Sequence, residues 1–489
     1  MPAQGIKGGQ LKVLSEEDIH QIHIATLEVL EEVGVKIEYK AALELMADNG
    51  CKVDFNRQMV KVPEYVLKKA LQSAPSRITL YGKKRDFDVV LDDTNTVYTM
   101  GGAGAIRVLD LDGRRRPATL TDLVDLTRLQ DVLENMHIAH FLVLPQDIPQ
   151  EGADRIVFAT MLKHTQRPHH TIPGGPQGVR DHVKMASILA EGTDRLLQAP
   201  FYLENVCIES PLYYPKERVE ELMEVAKHGI PMLIEEDAVA GATSPFTLAG
   251  TLVEQNANIL CAVALAQMVN PGAPCIYSIS SGIMDMRVGN YSAAAPESTL
   301  LHIATTQMAH FYHLPVQGGN TCDSKLSDAQ MGYERASHFL ALALGGCNII
   351  HVATGNLEQM RLASYEQCLL DSEILGATFR IVEGITVNKD TLGVEVLKEV
   401  GPQGNFLAHD QTLRYLRKTR WMPKLTDRRN WEAWEMYGAK DMRERAREEV
   451  RRILKEHNPQ YVSEDVKKEI DRVAQAAQKE CWTKRTKNL

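Results

Sequence analysis

Eight short apolar runs, separated by helical stretches of about 15 to 40 residues, constrain this chain more than any other feature. They begin near residue 96 and read Val97–Gly101, Ile138–Leu144, His170–Gly174, Tyr202–Glu209, Pro231–Glu236, Cys275–Ser280, Pro315–Gly319 and Asn348–Thr354. Parallel strands need helical crossovers, so strand–helix alternation argues for a parallel sheet. Eight repeats buried on both faces favour closure over an open sheet. The expected fold class is α/β, a (β/α)8 TIM barrel. Helical patterns between the runs agree: Thr121–Leu133, Pro215–Lys227 with Val219, Leu222, Met223 and Val225, and the long apolar Gly250–Val269.

The flanks read differently. Residues 1–90 are expected to form an N-terminal α+β cap. Ser15 opens a helix with Asp18 three residues on. Ile19, Ile22, Ile24, Leu27, Val29 and Leu30 supply its apolar face and Gly34 ends it. A helix near Ala41–Ala47, short extended runs at Lys52–Asp54 and Met59–Val62, a helix opened by Pro63, and strands at Arg77–Tyr81 and Phe87–Leu91 complete the cap. Residues 91–385 make the barrel and 386–489 a C-terminal helical extension. In the extension, the Arg/Glu pattern of Arg443–Arg452 reads as a solvated face with i,i+4 pairs.

Composition narrows the function. The 489 residues are 44% hydrophobic, ample for a large core, and carry net charge −9 with no dominant block of like charge. Nucleic acid is therefore not an expected partner. The eight cysteines contain no C-x-x-C, no signal-peptide pattern opens the chain, and no run approaches the roughly 20 uncharged apolar residues of a membrane span. The expectation is a reduced cytoplasmic protein without membrane contact. The charged outer helices are compatible with a homo-oligomer.

In a parallel barrel, chemistry belongs at the carboxyl ends of the strands. Glycines gather there: Gly101–Gly104, Gly174-Gly175 and Gly318-Gly319. They mean close approach of a large ligand or simply tight turns. None fits a phosphate or dinucleotide signature. Adjacent His169 and His170 face opposite sides of a strand and cannot share one ion. Cys207, Cys275, Cys322 and Cys347 lie near strands but lack ligand spacing, so no metal bound by this chain is expected. His351 sits inside an apolar strand, where a satisfied core histidine and a pocket-floor residue are both open readings. Glu204, Glu209, Glu235 and Glu236 would attract a cation if they line the mouth, or form loop salt bridges.

Short motifs in order along the chain carry a resemblance. They are the opening helix, Gly34-Val35, the P-x-x-[LV] at Pro63–Leu67, Ala74-Pro75 and the Gly101–Gly104 loop. Then come Gly318-Gly319 with Asp323-Ser324-Lys325, and Asp427-Arg428-Arg429 before Trp434. Together they resemble the trimethylamine methyltransferase family, in its branch lacking pyrrolysine. The resemblance implies methyl transfer from an amine to the Co(I) of a corrinoid (cobalamin) on a separate cognate protein. Only standard residues are present here, which implies quaternary amines, with glycine betaine first and carnitine, γ-butyrobetaine or proline betaine as alternatives.

A quaternary ammonium already carries the charge that makes its amine a leaving group, so no catalytic acid or base is expected. The candidates for the substrate's cationic group are Tyr98, Phe141, Tyr277 and Glu209. Those for its polar end are His351, Arg361, Gln317 and Asn320. Gly102, Gly104, Gly174, Gly175, Gly318 and Gly319 are the candidates to pass beneath the corrinoid ring. Two other classes stand beside this reading: an inactive barrel serving as a binding or scaffold subunit, and a barrel lyase or hydrolase using the glutamates and histidines.

Overall fold

The computed structural model describes residues 5–102 and 104–488, with side chains through Cys481. Each of the eight runs overlaps a strand. In chain order these are β1 (Thr96–Thr99), β2 (Ala139–His140), β3 (His169–Thr171), β4 (Tyr202–Ile208), β5 (Met232–Glu236), β6 (Cys275–Ile279), β7 (Val316–Gly318) and β8 (Ile349–Ile350). All pair in parallel in one nine-stranded sheet. The ninth strand, Ile6–Lys7, runs antiparallel beside β1. The order is Ile6–Lys7, β1, β8, β7, β6, β5, β4, β3, β2.

The sheet curls. Its two parallel ends are joined at a bridge between Met100 and Ile138. There the Ile138 N–H donates to the Thr99 carbonyl at 3.0 Å, and the Gly101 N–H to that of Ile138 at 3.0 Å. Strand and helix faces are apolar because both sides of each strand are covered. Helix Leu248–Val269 shows this best. By length and composition it is apolar enough to cross a membrane, yet 78% of its apolar window is buried inside the protein.

The floor of the curled sheet is closed by a hairpin, Arg77–Leu80 with Val89–Asp92. Its Ile78, Leu80, Val89 and Leu91 pack against Tyr98, Met100, Ile138, Leu203, Leu233, Ile276 and Ile349. Burying each such side chain contributes roughly 1.5–3 kcal/mol. The alternation of β-strands then fixes what stands above: residues two positions further along each strand face the same interior. Ser15 and Asp18 form a reciprocal capping box at helix Glu16–Glu28. Strand Val35–Ile37 pairs with Tyr213–Tyr214 in the loop after β4, which ties the N-terminal region to the mouth.

The loops beyond the strand ends build two small sheets around the mouth. One joins Val239–Ala240, Gly282–Asp285 and Asn290–Ser292. The other joins Asn356–Leu357, Leu362–Ser364, Arg107–Leu109 and Arg115–Pro117.

Residues 386–440 are held at few points. Helices Val394–Val400, Asp410–Thr419 and Trp431–Met436 bury no residue. Between the second and third of them, the Glu373 carboxylate accepts the backbone N–H groups of Lys424, Leu425 and Thr426 at 3.1, 3.0 and 2.8 Å. Hydrogen bonds to a charged group contribute about 1.5–3 kcal/mol each. Glu373→Ala is expected to release this segment, seen as faster limited proteolysis between residues 386 and 440. Unchanged cleavage would contradict the anchoring. Helix Met442–Glu456 seats Ala446, Val450 and Ile453 on the body, and its outer face carries Arg452 between Glu449 and Glu456.

Candidate functional site

Above the apolar floor the interior turns polar. On one side, Glu235 of β5 accepts hydrogen bonds from Asn205 Nδ2 at 2.5 Å and Ser280 Oγ at 2.8 Å. Cys207 Sγ lies 4.0 Å from the same carboxylate. Burial pushes the Glu235 carboxyl up, opposed by the Ser280 and Asn205 hydrogen bonds. Two residues on, Asp237 reaches solvent in the mouth. The surrounding walls, and then the charge of Glu235, push its carboxyl up to about 8. Two neighbouring carboxyls raised in this way resist ionising together.

Beside them Ser278 donates to Gln317 Oε1. Asn320 Nδ2 donates to the Ser280 carbonyl at 3.2 Å and to the Tyr291 hydroxyl, which itself donates to Ser280 O at 2.7 Å. Tyr291 comes from the small mouth sheet and roofs this corner.

The far wall is built by β2, β3 and β8. His140 and His170 are direct Cα partners across β2 and β3. His351 follows β8, its Nε2 3.4 Å from His140 Nδ1. The His140 and His351 ring centroids are 5.5 Å apart, and those of His140 and His170 4.2 Å. All three are buried. Burial, then neighbouring histidines, hold His140 and His170 well below the usual imidazole range. His351 is lowered to about 3, again chiefly by burial. These rings are neutral at physiological pH.

Several residues singled out from sequence lie elsewhere. Tyr98 belongs to the floor, its hydroxyl 3.5 Å from the Val90 N–H. It cannot line the mouth, because the polar layer stands above it. Tyr277 points away from the interior, its hydroxyl donating to Asn256 Oδ1 at 3.1 Å on helix Leu248–Val269. The strand's alternation decides this: Ile276 and Ser278 face in, so Tyr277 faces out. Glu204 and Glu236 are turned outward by the same rule. His182 Nδ1 lies 3.0 Å from Glu204, and Ser210 donates to Glu236 at 2.5 Å.

Glu209 and Arg361 are exposed on loops. Phe141 packs edge-on to His140 and lines a rim cavity with Gly104, Gly174 and Met360. His351, Gln317 and Asn320 lie in the polar layer. His169 faces outward against Phe158, opposite His170. The eight cysteines are free thiols, and Cys207, Cys275, Cys322 and Cys347 have separate partners.

The glycines divide. Gly319 has φ +148, and a Cβ there would lie 2.5 Å from the His351 carbonyl oxygen. A Cβ at Gly102 would strike Asn356. Gly175 and Gly318 are buried. These four pack against the protein itself. Gly104 and Gly174 alone among the six line the open rim. Ala103, within the same loop, lies outside the described residues.

Sequence reasoning passed over His140, Asn205 and Tyr291. His140 was accessible: it stands two residues after Ile138 on a strand, as His351 does after Ile349. Tyr291 was not, because a strand beyond β6 folds it back.

A curled parallel α/β sheet with a buried polar chamber at the carboxyl ends of its strands is the architecture of an enzyme acting on a small molecule. This chain belongs to the trimethylamine methyltransferase (MTTB) family, whose profile matches residues 3–481. It is a methyltransferase of that family. It is 35% identical to trimethylamine methyltransferase MttB of Desulfitobacterium hafniense (strain DSM 10664 / DCB-2), over 94% of this chain and 93% of the relative. It is also 35% identical to the glycine betaine methyltransferase of Desulfitobacterium hafniense (strain Y51), over 76% of this chain and 78% of the relative. Among solved structures it is similar in fold to the monomethylamine methyltransferase (MtmB) of Methanosarcina barkeri. That likeness has a TM-score of 0.52 at 12% identity and covers 93% of this chain and 96% of that one.

Proposed function

We propose that this cytoplasmic enzyme moves a methyl group from a quaternary amine, glycine betaine first, to the Co(I) of a corrinoid held by a separate cognate protein. The carrying observation is the chamber's polarity. Glu235 and Asp237 stand on one wall, and neutral imidazoles on the wall that the strand order places across from them. A betaine is a zwitterion whose ammonium suits the carboxyl wall and whose carboxylate suits the imidazole wall. A betaine-demethylating relative at 35% identity supports the same substrate class.

The corrinoid supplies the nucleophile that accepts the methyl. The residues of this chain orient the ammonium in line with the mouth and exclude water. The C–N bond breaks with its electron pair staying on nitrogen, so dimethylglycine leaves with a neutral amine and its carboxylate still charged, and no general acid is needed. Gly104, Gly174, Phe141 and Met360 on the rim are the surface the ring would meet. The remaining substrate candidates, His351, Gln317 and Asn320, belong to this proposal, joined by Glu235 and Asp237. The fold reading that goes with it is a closed (β/α)8 barrel, supported by the β1–β2 bridge, with residues 1–90 and 386–489 as additions to a 91–385 core.

The test mixes the protein with a reduced corrinoid protein and, separately, glycine betaine, carnitine, γ-butyrobetaine, proline betaine and trimethylamine. Corrinoid methylation, read by absorbance, is expected with glycine betaine and not with trimethylamine. No methylation with any quaternary amine overturns the proposal. A betaine-dependent rise in melting temperature without methylation would indicate a binding subunit instead.

A further inference from the structure

We propose that His140, His170 and His351 form a binding site for one divalent transition metal, of the zinc class, in the wall of the chamber. One donor nitrogen from each ring lies within 4.8 Å of the others, the single such group of three or more potential ligands among the described residues. The 3.4 Å between His351 Nε2 and His140 Nδ1 matches two nitrogens on one tetrahedral zinc, since Zn–N bonds of about 2.0–2.1 Å place their ends about 3.4 Å apart. The terminal imidazole torsion is broad, so a modest ring rotation draws in the third ligand.

A second, independent observation points to a ligand. His140 Nε2, both nitrogens of His170, and His351 Nδ1 are buried without a hydrogen-bond partner. Buried polar atoms are normally paired, and His170, with neither ring nitrogen paired and one donor atom within 4.8 Å of those of His140 and His351, lacks the partner that a shared ion would supply. Burial keeps the rings neutral, the form in which imidazole ligates a metal. An all-imidazole set selects zinc, cobalt, nickel or copper over magnesium or calcium. No spacing in the sequence marks this site, and the expectation there was that the chain binds no metal. These three ligands come from strands separated by as many as 211 residues and meet only in the fold.

Three protein ligands leave a fourth position for water or a substrate group. If the betaine reading holds, that position takes the substrate's carboxylate. The metal site itself does not depend on that reading.

The experiment uses the full-length protein, stripped with chelator and titrated with Zn²⁺ or Co²⁺. About one equivalent per chain is expected, with the intense visible absorption of tetrahedral Co²⁺. His140→Gln, His170→Gln and His351→Gln should each lose it, whereas His169→Gln, outward on the same strand as His170, should keep it. His351→Cys should retain Co²⁺ and add a thiolate charge-transfer band, which separates lost ligation from lost folding. Substoichiometric uptake by the wild type, or full uptake by all three Gln variants, overturns the site. Metal uptake without methyl transfer leaves the site standing and removes only the betaine reading; methyl transfer by the chelated protein, with no metal uptake, does the reverse.

Discussion

Glu235→Gln is expected to lower kcat/KM for the quaternary amine about 100-fold, equivalent to about 2.7 kcal/mol of transition-state stabilisation. The carboxylate is isosteric with the amide, and Asn205 and Ser280 can still bond to it, so folding should be retained. What disappears is the charge facing the ammonium. At an effective dielectric near 20, two unit charges about 4 Å apart interact by about 4 kcal/mol, so a loss somewhat below that is the natural scale. A change under threefold would remove Glu235 from the site.

Asp237 adds a pH signature to the same result. Its carboxyl is held up to about 8 by the surrounding chamber walls and by Glu235, so it is neutral below that pH and charged above it. Cation binding should therefore tighten as pH rises from about 7 to about 9, and KM should fall. Asp237→Asn should flatten that slope. Stability carries the opposite sign. With its pKa raised in the folded state, Asp237 keeps a proton there that the unfolded chain releases near pH 4, so its contribution is lost as pH rises between those values. Asp237→Asn is expected to melt above the wild type at pH 9 and by a smaller margin at pH 5. A pH-independent difference would contradict the assignment.

The second large effect concerns Arg335, 1% exposed in helix Ala329–Gly345. Its guanidinium donates to the carbonyls of Asn320 at 3.2 Å, Val352 at 2.8 Å and Asn356 at 2.7 Å, and pairs with Asp371 at 3.3 Å. One side chain thus ties together the segments following β7 and β8, which carry Asn320 and His351. Removing one partner of a buried pair costs about 3–5 kcal/mol, because it leaves the other charge uncompensated. Arg335→Met should lower stability to chemical denaturation by that amount. The double variant Arg335→Met/Asp371→Asn should recover part of it, since the stranded charge is gone. Burial, resisted by Arg335, holds the Asp371 carboxyl up to about 6, so the partner that would be stranded is already costly to ionise. Additive losses in the double variant would show that the two residues do not act as a pair.

The strands were legible because their signal is local. Apolar runs such as Cys275–Ile279 and Met232–Glu236 are buried on both faces, and burial on both faces writes itself into consecutive residues. The capping box of Ser15 and Asp18 and the first-turn proline at Pro63 are local in the same sense. The site was legible only in its position. Tyr98, Tyr277, Glu204 and Glu236 lie on the right strands and miss the chamber. A strand presents alternate residues to opposite sides, and one fixed reference is needed to choose the phase. That reference is the floor hairpin with Leu203, Leu233 and Ile276, which requires the assembled fold.

What the sequence by itself determined is therefore the parallel eight-strand rhythm, the strand-end location of chemistry and the family. Periodicity, composition and ordered motifs all act over a few residues at a time. The tertiary structure alone decided which face of each strand meets the chamber and which distant residues share it. His140, His170 and His351, like Glu235 with Asp237 beneath Tyr291, converge because the sheet curls. No spacing along a chain encodes a curl that joins residue 100 to residue 138 and brings residue 351 against residue 140.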